Sequence, residues 1–414
     1  MRPALALALL AVCLGIACGR GSETGEERAA RVHRDAIVLD THADTTPRFQ
    51  DPAYDFTARH PLGQGRIDLP RAREGGLDVQ FWSIYVGRVE GDGRAIREAL
   101  ERIDAVWELA RRYPSEIAIA TDVASIRRGV AAGKLVSLMG VEGGHMIEGK
   151  LAVLRDFHRL GVRYMTLTHS FHTEWADSSG MGEPLPPGHG GLTPFGEEIV
   201  REMNRLGMMV DISHVSDETF WNALQVSQAP LIASHSSCRA VFDHPRNLSD
   251  DMLRALAAKG GVVMINYYPG YTDPDAAPAI RAWLARHGPE LAKLRETHKG
   301  DMRAMSLAMR AIAAADPVPQ GSLARLLDHF DHALRVAGED HVGLGSDFDG
   351  VPSMPVDLDE VSELPNLTRG LLERGWSEGT VRKVLGENLL RTLREVELVS
   401  ARLAREPAAP PNPR

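Results

Sequence analysis

Short apolar runs rich in β-branched residues recur along the chain. Eight of them stand out, at 36–41, 79–86, 135–140, 163–168, 208–213, 230–234, 261–267 and 341–346. Between most of them, apolar residues recur with the period of an amphipathic helix, at 93–112, 148–160, 195–206, 249–259 and 322–337. Strands that are apolar throughout, alternating with amphipathic helices, are typical of a parallel sheet whose faces are covered by helices.

Eight strand–helix units predict an α/β fold, specifically a (β/α)8 TIM barrel. A doubly wound open sheet is the alternative, but no Gly-x-Gly-x-x-Gly motif follows the first run. One long departure from the pattern covers 268–320, which we expect to be a helical insertion between the seventh and eighth strands. Its Met302, Met305 and Met309 have helical spacing and are expected to form a core stripe. Whether the insertion roofs a pocket or contributes to a homodimer interface stays open.

The N-terminus has the pattern of an export signal. Arg2 precedes an apolar stretch over 4–17, too short to span a membrane comfortably, which ends in small residues before Cys18. This predicts a lipoprotein-type signal peptide over 1–18 and a protein exported to a bacterial cell envelope, lipid-anchored through Cys18. Cleavage by an ordinary signal peptidase is the alternative, leaving a soluble periplasmic or secreted protein.

We further expect a flexible tether over 19–30, one barrel domain over 31–400 and a disordered Pro-rich tail over 401–414.

Composition narrows the function classes. The 414 residues are 43% hydrophobic and 25% charged, with a formal net charge of −9, and no basic run interleaves with aromatic residues. These features are typical of a soluble globular protein and argue against nucleic-acid binding. If Cys13 leaves with the signal peptide and Cys18 is acylated, Cys238 has no partner for a disulfide. We expect Cys238 to be a buried packing residue.

Side chains that bind metals stand where the predicted strands end. His42 and Asp44 lie two residues apart, so both can point to the same face of the first strand. Later runs end in Glu142, His169, His214, His235 and Asp347. Each of these residues taken singly is more often a loop or core residue, but in a barrel all the C-terminal strand ends meet on one face. Four imidazoles and three carboxylates converging there predict a site for divalent metal ions.

Other titratable residues fit the pattern less well. His145 follows two glycines after Glu142 and is expected to support the site from behind. Asp328, His329, Asp331 and His332 form a cluster within an amphipathic helix, which we interpret as a solvated surface.

Together these motifs resemble the renal (membrane) dipeptidase family of zinc peptidases, within the amidohydrolase-type barrels, from about residue 36 to residue 390. The motifs that carry the resemblance are Asp40-Thr41-His42-Ala43-Asp44, Gly140-Val141-Glu142-Gly143-Gly144, Tyr164-Met165-Thr166-Leu167-Thr168-His169, Gly191-Leu192-Thr193-Pro194-Phe195-Gly196, Val210-Asp211-Ile212-Ser213-His214-Val215, Ser234-His235-Ser236-Ser237, Arg246-Asn247 and Gly343-Leu344-Gly345-Ser346-Asp347-Phe348-Asp349-Gly350. Other amidohydrolases usually begin with His-x-His rather than the His-x-Asp found here.

The resemblance implies a dipeptidase with two Zn²⁺ ions bridged by Glu142. It assigns the first ion to His42 and Asp44 and the second to His214 and His235. It further implies that His169 contacts the substrate carbonyl, that Arg246 binds the substrate carboxylate, and that Asp347 shuttles protons, with Asp349 as the alternative shuttle. A bridging hydroxide would then attack the peptide bond of small dipeptides, including L-Xaa-D-Xaa.

Two other functions remain open from the sequence. An N-acyl-D-amino-acid amidohydrolase would use the same metals and the same Arg246. A non-catalytic ligand-binding lipoprotein is the other alternative, but it has no need of a proton shuttle at Asp347. The loop after His169 carries Glu174 where relatives commonly have Pro, which leaves the preference for the N-terminal residue of the substrate open.

Overall fold

A computed structural model describes residues 23–88, 93–183, 185–298 and 302–406. Eight parallel strands form its centre: β1 Leu39–Ala43, β2 Val79–Ile84, β3 Leu135–Glu142, β4 Val162–Thr166, β5 Met209–Asp211, β6 Leu231–Ala233, β7 Val262–Asn266 and β8 Val342–Gly345. Each strand pairs with the next, and β8 pairs with β1, so the sheet closes on itself. The predicted TIM barrel is confirmed.

Every predicted run overlaps a barrel strand, but within the described ranges three short strands lie outside the barrel. Ile117–Ile119 extends the sheet beyond β3. Gly321–Ser322 and Pro355–Val356 pair with each other in a separate ribbon. Two or three residues are too few to show a period, so the sequence pattern did not reveal them.

Helices surround the barrel. Their bounds are Gly25–Arg34, Thr46–Phe49, Leu69–Glu74, Arg94–Arg112, Val123–Ala131, Leu151–Arg159, Pro194–Leu206, Asp217–Val226, Asp250–Ala258, Pro269–Thr272, Ala277–Thr297, Met302–Ala315, Leu323–Val336, Leu364–Glu373, Glu378–Arg382 and Asn388–Leu403. Three 3₁₀ turns lie at Leu62–Gln64, Gly144–Ile147 and Val361–Glu363, and a π-helical turn at Lys383–Glu387. Thr193, Ser216 and Ser249 each begin a helix by accepting a hydrogen bond from a first-turn N–H. In the part of the chain described, no helix combines the length and apolarity that crossing a membrane requires.

The predicted tether is corrected in part, because residues 25–30 belong to the helix Gly25–Arg34. Thr24 and Glu27 form a capping box at its start. Val32 and His33 are buried at its other end, where Nδ1 of His33 lies 2.7 Å from the hydroxyl of Thr368. The last helix runs three residues past the expected domain end at 400. The predicted signal peptide, with Cys18, and residues 407–414 of the predicted tail lie outside the described residues.

The insertion over 268–320 lies on the C-terminal face of the barrel. Its helix Met302–Ala315 packs against Leu62–Gln64 and Thr46–Phe49, two elements that follow β1. The insertion therefore crosses from the end of β7 to the side of β1. Met305 is buried but Met309 is 39% exposed, so the predicted core stripe is only partial; the side chain of Met302 is not among those described.

The predicted solvated surface around His329 is wrong for two of its four members. His329 is fully buried: its Nδ1 accepts from the N–H of Cys238 at 3.0 Å, and its Nε2 donates to the carbonyl of Thr272 at 2.9 Å. Asp331 is buried too and accepts from Arg374. The helix Leu323–Val336 lies between the barrel and a second helix, so it buries two faces rather than one. Cys238 is buried and unpaired, as expected.

Candidate metal centre

The structure brings all seven predicted strand-end residues to one place on the C-terminal face. Their ligand atoms form three overlapping groups, each with all atoms within 4.8 Å of one another. The groups are His42, Glu142 and His235; Glu142, His169 and His214; and His42, Asp44 and Asp347. These residues come from the ends of six different strands, which lie far apart in sequence and meet only because the barrel closes.

Glu142, the last residue of β3, belongs to two of these groups. Its Oε1 is 3.2 Å from Nε2 of His214 and 3.4 Å from Nε2 of His235. Its Oε2 faces the opposite half of the site, 3.3 Å from Nε2 of His42, and accepts from the hydroxyl of Ser83. Each carboxylate oxygen thus serves a different set of ligands, which is the geometry that a carboxylate bridging two ions requires.

His42 is oriented by Tyr164. The phenol O–H donates to the carbonyl of Thr41, and Nδ1 of His42 lies 2.9 Å from the phenol oxygen. Because the phenol proton is already used, Nδ1 is assigned as the N–H donor, and Nε2 keeps its lone pair. A Cβ at Gly140 would overlap the Tyr164 ring, so glycine is needed there for this contact. Nε2 of His42 is buried without a hydrogen-bond partner and lies 3.4 Å from Oδ2 of Asp44.

The protonation states favour a bound cation. Burial lowers the pKa of both His214 and His235 well below the ordinary value, so both imidazoles are neutral. Their Nε2 atoms are only 2.8 Å apart. If both carry lone pairs there, they repel each other and the adjacent carboxylate unless a positive ion lies between them. Nitrogen and carboxylate ligands of this kind suit Zn²⁺, so the residues present fit the metal that the resemblance implies.

The pKa values of Glu142 and His42 also favour a bound cation. Burial alone raises the pKa of Glu142, but His42, His169 and their neighbours lower it well below the ordinary range, so the group is a carboxylate. For His42, burial lowers the pKa, but the carboxylates of Glu142 and Asp44 outweigh it and raise the pKa well above the ordinary value. The environment that holds a proton on His42 would also hold a metal ion.

Asp347 lies beside the ligands, two residues past the end of β8. Its pKa is raised to about 7, chiefly by burial and also by the carboxylates of Asp44 and Glu142, while His42 and the hydrogen bond from Asn266 oppose the increase. Asn266 donates its side-chain N–H to Oδ2 of Asp347 at 2.9 Å. Asn266 cannot turn its amide around, because its Oδ1 accepts from the N–H of Tyr268. Asp347 can therefore accept and release a proton near neutral pH while its second oxygen faces the site.

Asp349 belongs to a different set of contacts. Its carboxylate accepts from the hydroxyl of Thr45, from Arg48 and from the backbone N–H of Arg66. Burial raises the pKa of Asp349, but Arg48 and these hydrogen bonds outweigh it and lower the pKa below the ordinary value. It joins none of the candidate metal groups found among the described residues.

Two further predicted residues are Arg246, which lies beside the metal groups, and His169, which belongs to one of them. Arg246 is buried and donates to the carbonyl of His235 at 3.0 Å, and its Nε is buried without a partner. Its guanidinium lies 5.5 Å from the centre of the Tyr271 ring. The ring of His169 stacks on His214 at 4.2 Å, with its Nε2 3.5 Å from Oε1 of Glu142. The guanidinium of Arg246 and the imidazole of His169 therefore lie next to the presumed ion sites, where both can contact a bound small molecule.

The sequence analysis did not identify the buried residues that hold this site from behind. They are Tyr164, Asp211, Ser234 and Asn266. The available signal was a polar residue inside an apolar strand run, as with Asp211 in Met-Met-Val-Asp-Ile. His145, which was expected to support the site, donates from Nε2 to the carbonyl of Val86.

Comparisons with known proteins show what the chain is similar to. The family model of the membrane dipeptidases, peptidase family M19, matches residues 26–407. "Dipeptidase aclJ" of Aspergillus oryzae is 38% identical over 381 residues, which cover 89% of this chain and 80% of that protein.

Two solved bacterial structures share the fold over nearly their whole length. The probable dipeptidase PvdM from Pseudomonas aeruginosa aligns with a TM-score of 0.77 and 26% identity, over 91% of this chain and 99% of that one. A metallo peptidase from Rhodobacter sphaeroides, liganded with a phosphinate mimic of the dipeptide L-Ala-D-Ala, aligns with a TM-score of 0.71 and 26% identity, over 87% of this chain and 100% of that one.

Proposed function

The chain belongs to the membrane dipeptidase family of metallopeptidases, M19, and on that premise we propose that it hydrolyses dipeptides with a free C-terminal carboxylate at two zinc ions. The observation that carries the proposal is the position of Glu142, whose two oxygens face separate sets of ligands. His42 and Asp44 would hold one ion, and His214 and His235 the other. Bound zinc would supply Lewis acidity, lowering the pKa of a water and polarising the substrate carbonyl.

The surrounding residues have the chemistry to complete the reaction. Arg246 would bind the substrate carboxylate through its planar guanidinium, which matches a carboxylate bidentately. His169 would donate to the carbonyl oxygen as negative charge develops on it. Asp347 would take the proton of the attacking water and pass it to the leaving amine nitrogen. A pKa near neutrality suits a group that must do both.

We include dipeptides with a C-terminal D-residue in the proposal. The support is the structurally similar Rhodobacter sphaeroides peptidase, which is liganded with a mimic of L-Ala-D-Ala. Export and anchoring through Cys18 also remain proposals, since the first 22 residues lie outside those described.

The test is to compare hydrolysis of L-Ala-D-Ala, L-Ala-D-Ala-amide and N-acetyl-D-alanine by the zinc-loaded protein, with a chelator-treated control. We expect cleavage of the free dipeptide, its loss on chelation, and at least about 100-fold slower cleavage of the amide, because Arg246 would be left without its anionic partner. Faster hydrolysis of N-acetyl-D-alanine than of the dipeptide would instead support the amidohydrolase alternative. Tight binding of L-Ala-D-Ala without turnover would support a binding protein.

A further inference from the structure

A single buried carboxylate lies beneath the half of the site formed by the later strands. Asp211, the last residue of β5, has no exposed surface and accepts four hydrogen bonds. Two come from Ser234, through its backbone N–H at 2.8 Å and its hydroxyl at 2.6 Å. The others come from the hydroxyl of Thr166 at 2.5 Å and the N–H of Ser213 at 3.0 Å.

These contacts join the three strands that precede His169, His214 and His235. Thr166 ends β4, three residues before His169. Asp211 itself stands three residues before His214, and Ser234 directly precedes His235. The position of each imidazole therefore depends on a segment that is tied to the same carboxylate.

Ser234 also fixes the tautomer of His235. Its hydroxyl oxygen is 2.8 Å from Nδ1 of His235 and 2.6 Å from Oδ2 of Asp211. A hydroxyl has one proton, and a carboxylate can only accept, so the serine proton points to Asp211. Nδ1 of His235 must then be the N–H that donates to the serine oxygen. Nε2 keeps its lone pair and faces Glu142.

A matching pair lies beneath the other half of the site and differs in one contact. Ser346 donates its N–H and hydroxyl to Asp40 at 2.8 and 2.6 Å, the same arrangement as that of Ser234 on Asp211. Ser346 also directly precedes a site residue, Asp347. Its hydroxyl reaches the carbonyl of His42 but no imidazole nitrogen, because the ring of His42 is held by Tyr164 instead.

We propose that Asp211 and Ser234 are positioning residues for the ion that His214 and His235 would hold, and that the hydrogen-bonded chain from Asp211 through Ser234 to His235 sets the affinity for that ion. The inference rests on the proposed two-zinc centre. Residues that hold a ligand histidine from behind typically contribute 10- to 100-fold to metal affinity. The Asp40–Ser346 pair, which contacts no ring nitrogen, should not have this effect.

The test is Zn²⁺ titration of the metal-free protein against a competing chelator, giving stoichiometry and the two dissociation constants. We expect Ser234→Ala to weaken one of the two ions about 10- to 100-fold and leave the other unchanged. Ser346→Ala is the matched control, because it removes the same hydroxyl from the same kind of carboxylate, and should keep both affinities. Circular dichroism and thermal unfolding of the metal-free variants show whether each one is folded.

Asp211→Asn provides a second variant if Ser234→Ala fails to fold. It keeps the shape of the side chain but removes the charge, and it should weaken the same ion. The inference is overturned if a folded Ser234→Ala or Asp211→Asn variant binds two zinc ions as tightly as the wild type. It is also overturned if Ser346→Ala weakens binding as much as Ser234→Ala does. Wild-type protein that binds only one zinc would instead contradict the two-zinc centre itself.

Discussion

His214 and Asp347 both have a left-handed backbone, with φ values of 65° and 66°. Such conformations are uncommon for residues with a side chain, and they persist where the surrounding structure holds them. The hydroxyl of Thr168 and the N–H of Ser179 hold the carbonyl of His214, and the N–H of Asp347 donates to the carbonyl of His42. At the residue scale, the site is thus held by backbone contacts between neighbouring strand ends.

Side-chain contacts also distinguish Asp347 from Asp349, the two candidates for the proton shuttle. We expect Asp347→Asn to lower kcat by roughly 10²- to 10⁴-fold while zinc remains bound, because an amide cannot take up the proton of the attacking water. Steady-state hydrolysis of L-Ala-D-Ala together with zinc analysis of the purified variant checks this.

Asp349→Asn is the control for that experiment. It should keep turnover in the folded protein but lower the free energy of unfolding by about 3 kcal/mol at most, since Arg48 loses its buried partner. Urea unfolding measures the loss. Full turnover in Asp347→Asn together with an inactive, folded Asp349→Asn would reverse the two roles.

At the scale of elements, periodicity predicted the core helices well but failed where an element buries two faces. The helix Leu323–Val336 packs on β8 and on the helix Leu364–Glu373. Its polar face therefore contains a histidine with no access to water. The helix Gly25–Arg34 was missed although Thr24 and Glu27 carry the sequence signature of a capping box. Its burial depends on Thr368, a partner far along the chain that no local pattern indicates.

His329 should make stability depend on pH. Burial lowers its pKa to about 4 in the folded protein, whereas the unfolded chain takes up the proton near pH 6.5. The contribution of His329 to the free energy of unfolding is therefore complete above pH 6.5. This contribution, roughly 3 kcal/mol at most, is lost as the pH falls towards 4. We expect the free energy of unfolding of metal-free wild type to fall more steeply over this range than that of metal-free His329→Asn. Urea unfolding at pH 7.5 and 4.5 measures this change. An equal loss of free energy of unfolding in the wild type and in His329→Asn would contradict the prediction.

At the scale of the whole molecule, the presumed metal ligands connect distant parts of the barrel. They come from β1, β3, β5 and β6, between residues 42 and 235. Without a cation, the buried carboxylate of Glu142 faces the lone pairs of neutral imidazoles. Metal binding should therefore stabilise the entire domain and not only the loops around the site.

We expect zinc removal to lower the Tm, since a ligand that binds only the folded state at 100 times its Kd stabilises it by about 2.7 kcal/mol per site. Thermal unfolding with zinc and with excess chelator measures the shift. Glu142→Gln should show a much smaller zinc-dependent shift, because the neutral amide cannot serve as a bridging carboxylate. An identical shift in this variant would place the stabilising ion elsewhere.

The barrel and the residue types of the site follow from the amino-acid sequence alone. Strand and helix periods depend on local alternation of apolar and polar residues, and the C-terminal ends of parallel strands meet on one face in any closed barrel. His42, Glu142 and His235 could therefore be placed together before any coordinates were known.

Which side chains face each other is set by the folded protein. It separated Asp347 from Asp349, tied three strand ends to Asp211, buried His329 and laid the insertion across the face between β7 and β1. These features depend on contacts between residues tens to hundreds of positions apart. The periodicity of apolar residues does not indicate such contacts, because each one is set by the packing of elements that meet only on folding.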